Sequence, residues 1–301
     1  MIVCRSLAEI ARMRPANVLV AKVLRELREA VRPGVTTGEL DQLAEKRIRE
    51  EGGESAFKGY HGYPATICAS VNEQVIHGIP SSRVLVEGDI LSIDVGVLMD
   101  GFYGDAAITV PVGRISDRAA ELLRVTEEAL YKGIERARVG ARVSDIGCAV
   151  QRHVEAHGFS VVREFVGHGI GSAMHEEPQI PNYGEPGRGP RLAEGMVLAI
   201  EPMINAGKPA VKILEDGWTA VTRDGSLSAH FEHTVSVTAS GPVILTTLNG
   251  NPQGGSPGPP TRRPRWSGNR AGVRNGMSSA PGMTGVEAPR NLESRWRKRT
   301  R

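Results

Sequence analysis

The sequence lacks the long apolar segments that membrane proteins and secreted precursors need. Among its 301 residues, no stretch comes near the roughly 18 to 20 uncharged apolar residues of a membrane span. Charged side chains also interrupt the first 30 positions too often for the hydrophobic region of a secretory signal. We therefore expect a cytoplasmic protein that has no membrane partner.

Cysteine is scarce as well. Cys4, Cys68 and Cys148 are the 3 cysteines of the chain, and no two of them form a Cys-x-x-Cys motif. An odd number of widely spaced cysteines excludes a disulfide framework and a cysteine-rich zinc module. Any metal ion bound by this chain would therefore need oxygen and nitrogen ligands.

Charge and composition divide the chain into two parts. Residues 251–301 carry eleven Arg or Lys against two acidic residues, a net charge of +9, which leaves −6 for residues 1–250. The same 51 residues contain seven Pro and eight Gly, a composition that cannot bury enough apolar surface to fold. We predict one folded domain over 1–250 and a disordered basic tail over 251–301.

Residues 1–250 show the pattern of an α+β fold. Apolar periodicity predicts helices at roughly 15–31, 37–52, 117–138 and 144–158, and a capping box marks the second of them at Thr36 and Glu39. Apolar and β-branched segments predict strands at roughly 66–72, 89–98, 101–113, 160–166, 168–173, 196–204 and 231–238.

The two helix pairs look like copies of one unit. An offset of 106 residues aligns Gly34 with Gly140 and Leu40 with Ile146. Only a few positions match, so chance is the alternative to duplication. A duplicated unit predicts two similar halves packed about a pseudo-twofold axis, with a site between them.

Two aspartates fall inside predicted strands. Asp100-Gly101 is a strong hairpin signal, and a turn there pairs Met99 with Phe102. This register places Asp94 and Asp105 on one face, one diagonal step apart, and a slip of two residues would put them directly opposite. A single strand aspartate is more often a surface ion pair, but two on one buried face need a cation.

Two more acidic residues and a histidine occur in similar segments. Glu201 lies in the apolar segment AIEPMI, Glu232 lies in FEHTVSV, and His168 lies in GHGIGSAMHEEP. Four carboxylates that converge with one imidazole would repel each other, whereas two divalent ions about 3.5 to 4 Å apart would make the set favourable. Oxygen-rich ligation with one imidazole suits Mn, Fe or Co as well as Zn.

Together, these segments resemble the motifs of a known family. VNEQVIHGIP, SIDVGV, YGDAA, GHGIGSAMHEEP, AIEPM and FEHTV are similar to the motifs of type I methionine aminopeptidases, over residues 8–249. The resemblance implies the pita-bread fold, a curved antiparallel sheet with two helix-helix-strand halves. It implies removal of the N-terminal methionine from nascent proteins with a small second residue, with two divalent ions (Co, Mn, Fe or Zn) as cofactors.

The resemblance also implies roles for individual residues. Asp94 would bind one ion, Asp105 and Glu232 would bridge both, and His168 and Glu201 would complete the second site. Glu201 would also shuttle protons between a metal-activated water and the leaving amine. His175 and His77 would contact the scissile amide or its oxyanion as catalytic residues without binding metal.

A substrate pocket follows from the same resemblance. An unbranched thioether side chain would fit a slot of aromatic and sulfur-containing residues. The predicted substrate-binding residues are Tyr60, Tyr63, Cys68, His77, Met174, His175 and Trp218, with Phe165 as a further candidate and His61 at the rim. For these aromatic residues, ordinary core packing is the alternative. Phe57 stands where some family members have cysteine.

Two other functions compete with this interpretation. Related pita-bread enzymes that cleave beside proline use the same five ligands, but they usually carry a long N-terminal domain, and only 93 residues precede Asp94. Type II methionine aminopeptidases carry an inserted helical subdomain for which 1–250 has no room. A non-catalytic pita-bread binding module would have lost ligands that this chain keeps.

The basic tail suggests a second partner. Trp266 and Trp296 stand among arginines, so phosphate attraction and base stacking would be combined there. The tail is therefore either a contact to ribosomal RNA near emerging N-termini or a dispensable solvated extension. We expect a monomer, as the resemblance implies.

Overall fold

The computed structural model describes residues 1–248, so the predicted tail at 251–301 lies outside the described residues. Four α-helices lie within the described range, α1 Leu7–Ala30, α2 Thr37–Glu50, α3 Asp117–Ile134 and α4 Val143–Ala156, with a 3-10 helix at Tyr60–Gly62. The strands are β1 Glu54–Ser55, β2 Cys68–Val71, β3 Gln74–Ile76, β4 Ile90–Met99, β5 Phe102–Pro111, β6 Ser160–Val161, β7 Gly167–Gly169, β8 Glu176–Ile180, β9 Val197–Ile200, β10 Met203–Asn205, β11 Val211–Ile213, β12 Ala220–Thr222, β13 Ser228–His230, β14 His233–Thr238 and β15 Gly241–Ile244.

The strands form antiparallel sheets. The long β4–β5 hairpin carries β2 and β1 on the two edges of β4, and a five-stranded sheet follows the order β15-β14-β9-β7-β8. Two three-stranded sheets, β13-β10-β6 and β11-β12-β3, complete the set in the described part of the chain. The predicted α+β architecture with antiparallel sheets is therefore confirmed.

The predicted start of the first helix was wrong. The helix begins after Ser6, whose side chain caps it in a capping box with Glu9, and it continues through Pro15. Pro15 lacks the N–H that would bond to Ala11, but both residues are exposed, so water can reach the carbonyl of Ala11. The buried Met13 anchors this first part of the helix, because tertiary packing outweighs the local cost of proline.

The predicted internal repeat is confirmed by the positions of the elements. Helix α4 begins and ends 106 residues after α2 begins and ends. Leu40 and Ile146 are both buried at equivalent positions, and Gly34 and Gly140 both adopt a left-handed backbone, with φ of +93° and +89°. Each half therefore repeats a left-handed turn followed by a helix of the same length.

Each helix pair covers one face of a sheet. Ile93, Val95 and Val97 of β4 pack on α1 and α2 in one apolar cluster, so Asp94 and Gly96 face the opposite side. Helices α3 and α4 pack in the same way on β9 and β14 of the five-stranded sheet. The uncovered face of the hairpin therefore meets the second half of the molecule.

Several predicted strand boundaries were wrong. The segment predicted as one strand at 196–204 is split into β9 and β10, and the segments at 160–166 and 168–173 contribute only β6 and part of β7. Seven strands of 2–5 residues were not predicted, because segments this short do not show an alternating pattern: β1, β3, β8, β11, β12, β13 and β15. Within residues 1–248, no helix combines the length and apolar character that a membrane crossing requires.

Candidate metal centre and active-site cleft

The β4–β5 hairpin places two carboxyl groups side by side. Met99 pairs with Phe102, as predicted, so Asp94 lies opposite Ala107 and Asp105 lies opposite Gly96. Both aspartates therefore point to the same face from diagonal positions. The two-residue slip considered as an alternative does not occur.

Glu232 joins these aspartates from the second half of the chain. Its backbone N–H donates to the carbonyl oxygen of Ala107 at 2.9 Å. The hydroxyl of Thr234 donates to the carbonyl of Asp105 at 2.8 Å and accepts from the N–H of Asp105 at 3.2 Å. These bonds fasten β14 to β5, and they hold the Glu232 side chain, which is 2% exposed, next to Asp105.

The residues on either side of His168 must be glycine. A Cβ at Gly167 would lie 2.4 Å from the carbonyl oxygen of Ala199, and one at Gly169 would lie 2.3 Å from that of Glu177. Strand β7 is paired on both sides, with β8 and with β9, so its backbone has no room for further side chains. The Gly-His-Gly motif therefore presents one imidazole from a tightly packed strand.

The hydrogen bonding of His168 determines which ring nitrogen can bind a metal. Its Nδ1 lies 2.9 Å from the carbonyl oxygen of Gly169, so Nδ1 carries the proton and donates it. The lone pair is then on Nε2, which lies 3.5 Å from Oε1 of Glu201 and 4.0 Å from Oδ2 of Asp105. Burial lowers the pKa of His168 to about 4, so the ring is neutral at physiological pH.

Glu201 lies at a break in the sheet rather than inside a strand, which corrects the sequence-based prediction. Strand β9 ends at Ile200, Pro202 cannot donate to a ladder, and β10 begins at Met203 in a different sheet. The side-chain amide of Asn182 donates to the carbonyl oxygen of Glu201 at 3.1 Å. This change of sheet directs Glu201 towards His168.

Burial and mutual repulsion make the carboxyl cluster reluctant to ionise. Burial raises the pKa of Asp94 to about 6. Burial, together with the charges of Glu232, Asp94 and Glu201, raises the pKa of Asp105 well above its ordinary value. Burial and the charge of Glu201 likewise raise the pKa of Glu232. The protein alone does not compensate these charges.

The cluster fits a divalent metal ion. Oδ1 of Asp94, Oδ1 of Asp105 and Oε1 of Glu232 are buried and have no hydrogen-bond partner among the described residues. One potential ligand atom from each of Asp105, His168 and Glu232 lies within 4.8 Å of the other two. Burying oxygen atoms without donors costs folding free energy unless a cation binds them. These oxygens and the neutral imidazole of His168 together form a suitable set of ligands for a divalent ion.

The predicted substrate residues line the same cleft. The five predicted metal ligands all line a single cleft: Asp94, Asp105, His168, Glu201 and Glu232. The cleft is also lined by the predicted residues Tyr60, Tyr63, Cys68, His77, Met174, His175 and Trp218. The five predicted ligands, the predicted catalytic histidines and the seven predicted substrate residues therefore converge on one site, whereas the rim candidate His61 does not line it.

The two histidines predicted as catalytic differ in their surroundings. His175 is exposed, its Nδ1 lies 2.8 Å from the hydroxyl of Tyr60, and its ring centre lies 4.3 Å from that of His168. His77 adopts an unusual positive φ of 59°, and its ring packs edge-on against Phe165 at 5.8 Å. Burial, with a smaller effect of His230, lowers the pKa of His77 to about 4.

Aromatic side chains form the apolar end of the cleft. The rings of Tyr63 and Trp218 meet edge to face at 5.1 Å, and the buried Met174 belongs to the same apolar cluster. Phe57, named in the sequence only as a departure from some family members, also lines the cleft. Phe165 does not line it and packs in a separate apolar cluster.

Two features near the site were missed by the sequence analysis. His230 lies two residues before Glu232, and its Nε2 is 3.6 Å from Oε2 of Glu201. Arg5 forms a buried ion pair with Glu176, the neighbour of His175, through two contacts of one guanidinium nitrogen. The i, i+2 spacing of His230 and Glu232 in an apolar segment was a signal that could have revealed the first of these.

The comparison with known proteins identifies the family. The model of metallopeptidase family M24 matches residues 11–239. The chain belongs to metallopeptidase family M24. This membership means that the cluster of carboxylates and histidine belongs to a family of divalent-metal enzymes.

Close relatives match most of the chain. A methionine aminopeptidase of Clostridium perfringens and methionine aminopeptidase 1 of Bacillus subtilis are each 55% identical over 248 residues, which is 82% of this chain and 100% of theirs. The crystal structure of methionine aminopeptidase from Thermotoga maritima matches with a TM-score of 0.81 at 48% identity and covers 82% of this chain and 99% of that one. The predicted resemblance and the pita-bread fold are confirmed.

Solved structures of lower sequence identity share the fold. A prolidase from Pyrococcus horikoshii matches with a TM-score of 0.67 at 23% identity, over 82% of this chain and 64% of that one. At this level of identity, the likeness concerns the fold alone. The remaining part of the prolidase chain, about a third of its length, lies outside the match.

We predict that replacing Asp105 by asparagine stabilises the metal-free protein. Asp105 is protonated in the folded state at pH 4, so the two proteins should then have similar free energies of unfolding. As the pH rises to 7, the unfolded state releases the proton more readily than the folded state, so the wild type loses stability. At pH 7 in the presence of a chelator, the free energy of unfolding of Asp105→Asn should be about 1–3 kcal/mol higher than that of the wild type. Urea titrations of both proteins measure this difference.

Asp224 provides the matched control. Its carboxylate accepts a hydrogen bond from the backbone N–H of Lys208 at 2.7 Å, which lowers the pKa of Asp224 to about 2. Asp224→Asn should therefore lower the stability at pH 7. A wild type that is as stable as Asp105→Asn at pH 7 would show that the cluster is not under electrostatic strain.

Proposed function

We propose that this chain is a methionine aminopeptidase that removes the N-terminal methionine from nascent proteins and peptides with a small second residue. The observation that carries the proposal is the position of the buried carboxylate and histidine cluster in the wall of a cleft whose other residues are aromatic and sulfur-containing. The 55% identity with relatives of that name, over their full length, supports it.

Two divalent ions are the proposed cofactor. Asp94 would hold one ion, His168 and Glu201 would hold the other, and Asp105 and Glu232 would serve both. The lone pair of His168 on Nε2 and the partnerless oxygens of Asp94, Asp105 and Glu232 support this assignment. When bound, such ions act as Lewis acids and lower the pKa of coordinated water towards 7. Mn, Fe, Co and Zn are all compatible with these ligands.

Glu201 is the proposed proton shuttle. Its carboxylate lies at the break between β9 and β10, where its side chain is 12% exposed and reaches the cleft. It accepts a proton from the attacking water and delivers it to the nitrogen of the leaving amine, so that the amide bond breaks without forming an unstable anion. Asp105 and Glu232 are more deeply buried, at 4% and 2% exposed, which supports this division of roles.

The histidines of the cleft are the proposed donors to the substrate. With the hydroxyl of Tyr60 donating to Nδ1, His175 carries its ring proton on Nε2, and that proton can stabilise charge on the scissile carbonyl oxygen. His77 contacts the amide of the substrate from the other side. Its low pKa keeps the ring neutral, so it donates a hydrogen bond without adding charge.

The apolar end of the cleft is the proposed methionine pocket. Tyr63 and Trp218 provide aromatic surfaces, and Cys68 and Met174 provide polarizable sulfur, all of which suit a flexible thioether. Burial raises the pKa of the Cys68 thiol far above its ordinary value. A neutral thiol is a poor nucleophile, so this supports a packing role for Cys68.

The proposed function predicts that methionine is released from peptides that begin with methionine and a small second residue. After reconstitution with Mn²⁺ or Co²⁺, the protein should release methionine from a Met-Gly peptide and leave an Ala-Pro peptide intact. Glu201→Ala should reduce kcat by at least about 100-fold, because it removes both a ligand and the proton shuttle. Amino-acid analysis of the products measures both effects.

The same assay separates the alternatives. Cleavage of the Ala-Pro peptide in preference to Met-Gly would identify an Xaa-Pro peptidase and overturn the proposal. If neither peptide is cleaved with any of the metals tested, the protein is a non-catalytic binding module. Asp105→Ala and Glu232→Ala serve as companion variants and should abolish activity, since each of these carboxylates serves both ions.

We propose in addition that the basic segment 251–301 contacts ribosomal RNA. Its net charge of +9 and its tryptophans among arginines support this partner. Truncation after Asn249 should leave turnover of the Met-Gly peptide intact and reduce co-sedimentation with ribosomes at low salt. Unchanged co-sedimentation would show that the segment is a dispensable extension. The monomeric state and the cytoplasmic location stay predictions.

A further inference from the structure

His230 is a buried imidazole that the proposed reaction does not use. It is the last residue of β13, it is 2% exposed, and its Nε2 is buried without a hydrogen-bond partner among the described residues. A buried ring nitrogen without a partner is unfavourable unless it gains one in a working state of the protein. The surroundings of the ring therefore indicate what it does.

The backbone of His230 is fixed independently of its ring. The hydroxyl of Thr109 donates to the carbonyl oxygen of His230 and accepts from its N–H, both at 2.8 Å. The Thr109 hydroxyl already donates its only proton to His230, so in its contact with Ser92 at 2.8 Å the Ser92 hydroxyl is the donor. Strand β13 is thus attached to the hairpin, and a change of the side chain at 230 leaves these bonds in place.

The ring of His230 lies behind the proposed proton shuttle. Its Nε2 is 3.6 Å from Oε2 of Glu201, while Nε2 of His168 is 3.5 Å from Oε1 of the same carboxylate. The two oxygens of Glu201 therefore face two different imidazoles. His168 has its lone pair on Nε2, so it does not donate to Glu201.

We propose that His230 is a positioning residue for Glu201, donating from Nε2–H to Oε2 and thereby holding Oε1 towards the metal cluster. The contact needs only a small rotation of the carboxylate, from 3.6 Å to about 2.9 Å. A donor to one oxygen fixes the plane of the carboxylate, which must both bind an ion and exchange a proton. Partners of this kind typically change metal affinity or activity about 10- to 100-fold.

Direct metal binding by His230 is less well supported by the geometry. His230 does not line the cleft, whereas all five predicted ligands do. The ring is therefore placed to support a ligand rather than to act as one.

Two substitutions test this inference, which rests on the proposed function of Glu201. His230→Gln keeps an N–H donor near the position of Nε2, and His230→Leu fills the space without a donor. We expect His230→Leu to lower kcat on a Met-Gly peptide about 10- to 100-fold with KM changed less than about twofold, and His230→Gln to recover most of that loss. Disturbance of the substrate pocket would instead raise KM.

Metal binding supplies a readout that does not depend on turnover. Calorimetric titration with Co²⁺ should show about tenfold weaker binding in His230→Leu at unchanged stoichiometry, and His230→Gln should bind close to wild type. If His230→Leu does not fold, His230→Asn, whose shorter amide does not reach Glu201, replaces it. Thermal unfolding of the metal-free variants checks that each one is folded.

Each outcome decides between distinct conclusions. Wild-type kcat and Co²⁺ affinity in His230→Leu, or in His230→Asn, would overturn the inference. The loss of one bound ion in both His230→Gln and His230→Leu would also overturn it, because His230 would then be a ligand. A wild type that binds Co²⁺ but releases no methionine would contradict the proposed function, and the Co²⁺ affinities of the variants would still test the contact with Glu201.

Discussion

The site depends on carboxyl groups that the fold forces together away from water. Asp94, Asp105 and Glu232 each have a raised pKa and each keep a buried oxygen without a donor among the described residues. Such an arrangement destabilises the protein when no cation is present, because buried like charges repel and are poorly solvated. Metal binding relieves the repulsion, so the same feature that costs stability creates the affinity for the ion.

The two halves of the molecule contribute different parts of this cluster. The hairpin of the first half supplies Asp94 and Asp105 on its face away from the helices. The second half supplies His168 from a strand without neighbouring side chains and Glu201 from a break between two sheets. Thr234 and Glu232 then bond to β5, so the site exists only when both halves are folded and docked.

Sequence reasoning predicted the parts of the fold that depend on local signals. The Asp100-Gly101 turn and the alternation of β4 and β5 were enough for the register that pairs the two aspartates. The start of α1 was missed because proline is a strong local signal, whereas the buried contact of Met13 is a tertiary one. Residues near Glu201 looked like a single strand because both sides of the break are apolar.

The support around the ligands was harder to predict than the ligands themselves. Asp94 and Glu201 stand out because charge is unusual in apolar segments. His230, by contrast, shows only a weak signal in its i, i+2 spacing from Glu232, since a lone histidine in a strand has many ordinary explanations, and its distance from Glu201 is what makes it stand out. The family to which the chain belongs could be recognised from six short segments, but the contacts that orient those segments come from distant parts of the chain.

The most direct test of this account is the number of protons released when the metal-free protein binds a divalent ion. Calorimetric titration with Mn²⁺ at pH 6, in buffers of different ionisation enthalpy, measures that number. The account predicts release of at least about one proton per protein molecule, because the raised pKa values of Asp94, Asp105 and Glu232 keep protons in the empty cluster. Binding without any proton release would show that these carboxyl groups are already ionised, and it would contradict the central claim.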